Sequence, residues 1–192
     1  PLQSGVFERL AKMRHEDGKF VVDIDHVHAV DDVSFSIDEG ETLALVGESG
    51  CGKSTTGRVI LRLLEPTAGQ IFFEGQEITN LSQKELAPYR RKMQIIFQEP
   101  SRSLNPRDCV GEAIGEPLMV NGIIKNRQER RERVEELMEA VGLNPKMYSR
   151  FPHKFSGGEK QRIMMARVLS LNPKFIAMDE PTASLDVSLQ AQ

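Results

Sequence analysis

Gly47-Glu48-Ser49-Gly50-Cys51-Gly52-Lys53-Ser54 follows the pattern of a glycine, four residues, then Gly-Lys-Ser. That spacing suits a phosphate cradle. Glycines let successive backbone N–H groups converge on phosphate oxygens, and the positive end of a following helix adds its dipole. In such a cradle Lys53 reaches the β and γ phosphates and the Ser54 hydroxyl coordinates Mg²⁺. Cys51, with no base partner nearby in sequence, reads as a small space-filling residue rather than a nucleophile. Far along the chain, Asp179-Glu180 follows the apolar run Phe175-Ile176-Ala177-Met178. Phosphoryl transfer needs a carboxylate to hold the metal, commonly at the end of such a strand, and Asp179 meets that need. Neighbouring side chains diverge on an extended chain, so Glu180 is free to face an attacking water as general base or orienter. A third peptide, Phe155-Ser156-Gly157-Gly158-Glu159-Lys160-Gln161-Arg162, sets a serine and two glycines at a helix start, a second anion-binding N-terminus in one chain.

These residues need elements to hold them. Thr42-Leu43-Ala44-Leu45-Val46 is a compact apolar run predicting a buried strand before the glycine loop, and Val59, Ile60, Leu63 and Leu64 predict a helix after it, stopped by Pro66. Upstream, Phe20-Val21-Val22 and the alternating Val33-Ser34-Phe35-Ser36-Ile37 predict an antiparallel edge sheet. Residues 69–78 predict a hairpin, and Ser82 with Glu85 predicts a helix start running toward Lys92, weakened by Pro88. Gln94-Ile95-Ile96-Phe97 predicts a second buried strand before a Ser, Asn and Pro-rich loop. Residues 126–141 predict a helix with Val134, Leu137, Met138 and Val141 on one face and Gly142 just past its end. The arginines in that helix interleave with glutamates at helical spacing, so they read as a solvated face and not as a nucleic-acid contact. A further helix spans 156–171, and 175–178 forms a third buried strand. Roughly 125 residues separate Lys53 from Asp179, so material is inserted between the two halves of the chemistry.

Composition narrows the classes. The 192 residues are 39% hydrophobic and 28% charged with a formal charge of −3, and mean hydropathy is −0.36 with a pI near 5.9. One globular domain carrying an inserted subdomain fits that length, whereas a membrane-embedded chain, a disordered one or a basic nucleic-acid coat does not fit the composition. Two cysteines, Cys51 and Cys109, argue against a disulfide framework and for a reducing compartment. No run of about eighteen apolar residues occurs, and Pro1 to Lys19 lacks the order of a signal peptide. The start at Pro1 and the stop at Gln192, directly after a patterned motif, lead to the expectation of a piece of a longer chain.

The phosphate loop, Gln98 after a strand, Ser156-Gly157-Gly158 with Gln161, Asp179-Glu180 and Ser184-Leu185-Asp186 stand in the order found in nucleotide-binding subunits of ABC transporters, which this chain resembles from about Val30 to Gln192. Gln98-Glu99-Pro100 with Ser103-Leu104-Asn105-Pro106-Arg107, and Asp186-Val187-Ser188 leading to Gln190-Ala191-Gln192, look like the oligopeptide, dipeptide and nickel importer branch. The resemblance implies that Gly47, Glu48, Ser49, Gly50, Cys51, Gly52, Lys53, Ser54 and Thr55 form the Walker A loop around ATP and that Ser54, Gln98 and Asp179 attend Mg²⁺. It implies that Glu180, Lys53 and Gln98 are catalytic, that Ser156, Gly157, Gly158, Glu159 and Gln161 contact ATP held by another subunit, and that Ser184, Leu185 and Asp186 form the D-loop. Residues that match the family less closely are Glu159-Lys160, where glutamine-rich wording is commonest, and Ile24, where an adenine-stacking aromatic is usual; Phe20, His26 and His28 are the remaining candidates. The family's switch histidine follows the D-loop, and the four histidines here all precede Asp179.

The resulting expectation is an α/β fold: a P-loop NTPase core with a RecA-like mixed sheet, an antiparallel β subdomain and an inserted α-helical subdomain. Within a single ABC ATPase domain over 1–192, incomplete at its C-terminus, residues 20–98 hold the β subdomain and the first half of the core. Residues 99–154 form the helical subdomain, and 155–192 carry the signature helix, Walker B strand and D-loop. The implied partners are a second ATP-binding subunit, transmembrane permease subunits and, indirectly, a solute-binding protein, with no nucleic acid. The implied place is cytoplasmic, peripheral on the inner face of the cell membrane. The 192 residues alone are expected to hydrolyse ATP poorly. The rival is an ABC-type ATPase acting on DNA in repair or chromosome maintenance, which predicts long heptads or zinc-binding cysteines between the motifs; the sequence has neither.

Overall fold

A computed structural model describes the backbone at 9–16 and 19–26, and backbone and side chains at 28–98 and 103–179. The chain divides into two compact units, Pro1–Lys84 and Glu85–Gln192.

In the first unit, β1 (Arg9–Glu16) and β2 (Lys19–His26) pair antiparallel with Glu16 opposite Lys19. The expected sheet joined 20–22 to 33–37. The strand at 20–22 exists, but its partner is the segment just before it, because closing a short loop costs less chain entropy than closing a long one. Asp17-Gly18, between the two strands in sequence, is a hairpin signal that the reading above passed over. The helix α1 (Lys53–Ile60) begins at the glycine loop and ends at Leu61 and Arg62, the latter at φ 53°. Arg62 is buried and donates from Nε to the Ile78 carbonyl at 3.2 Å and from Nη2 to that of Leu81 at 3.4 Å, tying the helix end to the segment after a small hairpin. That hairpin is β3 (Phe72–Phe73) and β4 (Gln76–Glu77). Glu74 and Gly75 between them both have positive φ, as a type I′ turn requires.

The expected strands at 33–37 and 42–46 are not formed. Leu43 and Leu45 are 40% and 44% exposed and Val46 is 94% exposed. An apolar run marks the capacity to be a strand, but a ladder exists only when a second backbone supplies its donors and acceptors. Among the described residues, none pairs with either segment.

The helix α2 (Gln83–Lys92), all but its first two residues in the second unit, leads straight into β5 (Met93–Ile96). β5 pairs in parallel with β6 (Phe175–Met178), from Met93 opposite Phe175 to Ile96 opposite Met178. Parallel neighbours need a crossover. Here it carries α3 (Val110–Val120), α4 (Arg127–Ala140) and α5 (Gly157–Leu169), whose apolar faces share one core that includes Ile114, Leu118, Val134, Met138 and Ile163. Burying each such side chain contributes about 1.5–3 kcal/mol. The small residues of α3 permit the close packing: a Cβ on Gly111 would lie 2.3 Å from the Tyr148 ring.

α4 matches its expected span almost residue for residue. Asn126 Oδ1 accepts from Gln128 N at 2.8 Å and Glu129 N at 3.2 Å, and Gly142, at φ 74°, follows its end. Two of its four arginines are shown ion-paired along the outer face, Arg131 with Glu135 and Arg133 with Glu136, both at 2.8 Å. This is the solvated face expected from the charge pattern, each pair worth about 0.2–0.5 kcal/mol. Among the described residues no helix is long and apolar enough to cross a membrane.

Candidate functional site

The glycine loop and the start of α1 form the first constellation. Gly52 caps α1 at φ 97°, a left-handed conformation, and a Cβ there would sit 2.1 Å from the Ala29 carbonyl oxygen. Position 52 therefore needs glycine twice over, for its backbone angle and for the approach of Ala29. Nothing in the spacing of the motif announces Ala29, which sequence reasoning missed. The amide of Cys51 donates to the Glu48 carbonyl at 3.3 Å, and a Cβ on Gly47 would meet Cys51 Sγ at 2.6 Å. Cys51 is itself exposed.

Lys53 is the first residue of α1, and its Nζ donates to the carbonyls of Gly47 at 2.8 Å and Glu48 at 2.7 Å, with Cys51 Sγ at 3.7 Å. The loop thus wraps its own ammonium. Thr56 closes the first turn, its amide and hydroxyl both directed to the Gly52 carbonyl at 2.8 and 3.0 Å. The first turn of α1 carries no acidic side chain of its own to offset the positive helix end at Lys53, Ser54 and Thr55. Ser49 and Gly50 lie exposed at the loop's crest. An anion of phosphate geometry suits this concentration of positive charge and turn amides.

The second unit holds two further groups. Gln98 lies two residues beyond β5 and Asp179 one residue beyond β6, and the Asp179 amide donates to the Ile96 carbonyl at 2.9 Å. Parallel pairing thereby brings both residues to the same, carboxyl, end of adjacent strands, the place where open α/β sheets receive ligands. Sequence reasoning identified each strand but not their adjacency.

At the start of α5, Ser156 is the cap. Its Oγ accepts from the Glu159 amide at 3.3 Å, and Glu159 Oε2 accepts from the Ser156 amide and hydroxyl at 2.8 Å each, a reciprocal capping box. Gly157 is exposed and Gly158 half-buried beside it, while Gln161 turns into the protein on the inner face of α5. The Ser156 amide, then the Ser156 hydroxyl, hold the Glu159 carboxyl below its ordinary value of 4.5, helped by the charges of Arg150 and Arg162. A group depressed in the folded state stabilises fully above its unfolded value, and that stabilisation is lost as pH falls through the folded one. The stability difference between the parent and Glu159→Gln, which does not titrate, is therefore expected to shrink as pH is lowered from about 6 to 3. Thermal midpoints of both proteins across that range check this; a difference independent of pH would contradict it.

Of the adenine candidates, Phe20 and His26 lie on β2 with side chains outside the described residues, and His28 is exposed with Nδ1 4.0 Å from Asp31. Glu180, Ser184, Leu185 and Asp186 lie outside the described residues.

The fold is similar to that of a dimeric ATP-binding cassette captured in a post-hydrolysis state with ADP and Pi, at TM-score 0.73 and 30% identity over 95% of this chain and 76% of that one. Glycine loop, parallel strand pair and helical insertion together define a phosphate-loop NTPase fold of the α/β class. The family model described as ABC transporter matches residues 30–183, and the chain belongs to that family. It is 52% identical over 186 residues to the oligopeptide transport ATP-binding protein OppF of Bacillus subtilis (strain 168), a match covering 96% of this chain and 61% of that protein. To the di/tripeptide transport ATP-binding protein DppF of Pseudomonas aeruginosa (strain UCBPP-PA14) it is 49% identical over 166 residues, covering 86% of this chain and 51% of that protein. The chain thus spans between half and two thirds of the length of these curated relatives.

Proposed function

We propose that the whole protein is the ATP-binding and ATP-hydrolysing subunit of an importer for peptides or nickel, working as a head-to-tail pair with ATP between the Lys53 loop of one copy and the Ser156 helix start of another. The observation that supports this reading is the presence, in one chain, of two separately built helix starts of the kind that suits an anion: the one capped by Gly52 and the one capped by Ser156. The transport names of the relatives and the dimeric state of the cassette with ADP and Pi support it.

In this reading the Lys53 ammonium leaves the carbonyls of Gly47 and Glu48 for the β and γ phosphates, and the turn amides of the loop hold the remaining oxygens. Ser156 and Gly158 of the other copy meet the γ-phosphate. Glu180 takes a proton from a water positioned in line with the γ-phosphorus, and Gln98 helps orient that water. The leaving oxygen departs with ADP. Hydroxyl, amide and carboxylate oxygens at Ser54, Gln98 and Asp179 are the hard donors that Mg²⁺ prefers, and the ion neutralises phosphate charge when bound. Residues 184–186 cross between copies, and the 99–154 segment docks on the cytoplasmic loops of permease subunits, placing the protein on the inner face of the membrane. A solute-binding protein delivers the cargo to the permease.

Two experiments test this on the full-length protein. Purification from membranes is expected to bring a permease subunit with it, whereas salt-sensitive retention of DNA would favour the repair-type rival. In size-exclusion chromatography with ATP, Glu180→Gln, which keeps nucleotide from being consumed, is expected to run as a dimer; a monomer carrying ATP would count against the sandwich.

A further inference from the structure

The start of α5 already holds an anion, and it comes from the same chain. Glu159 Oε2 takes both the backbone N–H and the hydroxyl of Ser156, at 2.8 Å each, with Arg150 and Arg162 adding positive charge around it. These are charge-assisted bonds at the positive end of a thirteen-residue helix. In the arrangement proposed above, a γ-phosphate arriving from another copy needs the Ser156 hydroxyl, and a second negative group at the same helix end repels it. Resting on that arrangement, we propose that the Glu159 carboxylate is a built-in stand-in for the γ-phosphate, which ATP on the partner copy must displace from Ser156 before the pair closes.

Glu159 thereby sets a threshold on closure. Family members commonly carry glutamine-rich wording here, and glutamine preserves the reciprocal cap, since a capping box accepts Glu or Gln at this position. Its amide lacks the charge, bonds Ser156 more weakly, and offers N–H donors to a phosphate. The stand-in is specific to the third phosphate. Its removal therefore strengthens association driven by ATP and leaves the behaviour with ADP as it was.

The test uses full-length protein carrying Glu180→Gln, with and without Glu159→Gln, in sedimentation velocity with Mg²⁺ and either ATP or ADP. Glu159→Gln is expected to lower the dimer dissociation constant about tenfold with ATP, the ratio between a charged and a neutral hydrogen bond, and to change nothing with ADP. Glu159→Ala, which lacks the carboxylate and the amide alike, is expected to shift it in the same direction. An unchanged or weaker dimer with ATP overturns the proposal, as does an equal gain with ADP, which would mark a general effect on the helix. If both proteins bind ATP yet neither dimerises, the sandwich itself fails and the stand-in falls with it.

Discussion

Lys53→Ala in the full-length protein is expected to reduce ATP hydrolysis by about two to three orders of magnitude, the usual consequence of removing one preorganised electrostatic donor. The side chain is held ready: its ammonium already sits over the loop, bonded at 2.7 and 2.8 Å to the Glu48 and Gly47 carbonyls. Exchanging two neutral carbonyls for phosphate oxygens moves a charge only a short way and replaces neutral acceptors with anionic ones. Alanine at the same position keeps the helix start, because it is a good helix former and the Gly52 cap is untouched. The loss therefore falls on nucleotide and not on folding, which nucleotide titration alongside a thermal melt separates. A variant that melts as the parent does yet hydrolyses at more than about a tenth of its rate would remove Lys53 from the chemistry.

Gly52→Ala is expected to be as damaging by a different route. Alanine at φ 97° costs roughly 1–2 kcal/mol for the left-handed backbone alone. The added methyl would also lie 2.1 Å from a backbone carbonyl, that of Ala29, which has no rotamer by which to retreat. Loop or neighbouring segment must move, and overpacking of this kind adds about 1–3 kcal/mol. A loop displaced by 1 Å no longer aims its amides at a common point, so ATP affinity is expected to fall about a hundredfold or more. Amide exchange in α3, α4 and α5 should remain as in the parent, since their shared core lies wholly within the other unit. Retention of ATP affinity would show that the Ala29 approach is incidental.

How far each element could be read in advance depended on where its stabilising partners lie. α4 was legible because everything that defines it is local: the Asn126 cap, the Val134, Leu137 and Met138 stripe, and the Gly142 terminator. α5 and β6 were legible for similar reasons, through the Ser156 cap and the four apolar residues before Asp179. Residues 42–46 were read as a strand and are not one, because a strand depends on a second backbone that no local pattern supplies. The same dependence hid the parallel pairing that brings Gln98 and Asp179 to one sheet end. For the site, the glycine loop could be recognised from spacing alone. Which groups hold it in its resting shape could not, since the Ala29 carbonyl meets Gly52 across more than twenty residues and the bond between Glu159 and Ser156 reads equally as an ordinary cap.

A crystal structure of the full-length protein with Mg²⁺ and a non-cleavable ATP analogue tests the shared site most directly. The account predicts one triphosphate lying between the amides of residues 47–54 in one copy and Ser156 to Gly158 of a second, with Lys53 drawn off Gly47 and Glu48 onto the phosphates. An analogue bound by one copy alone, with the Ser156 helix start of every other copy turned away from it, would contradict that account.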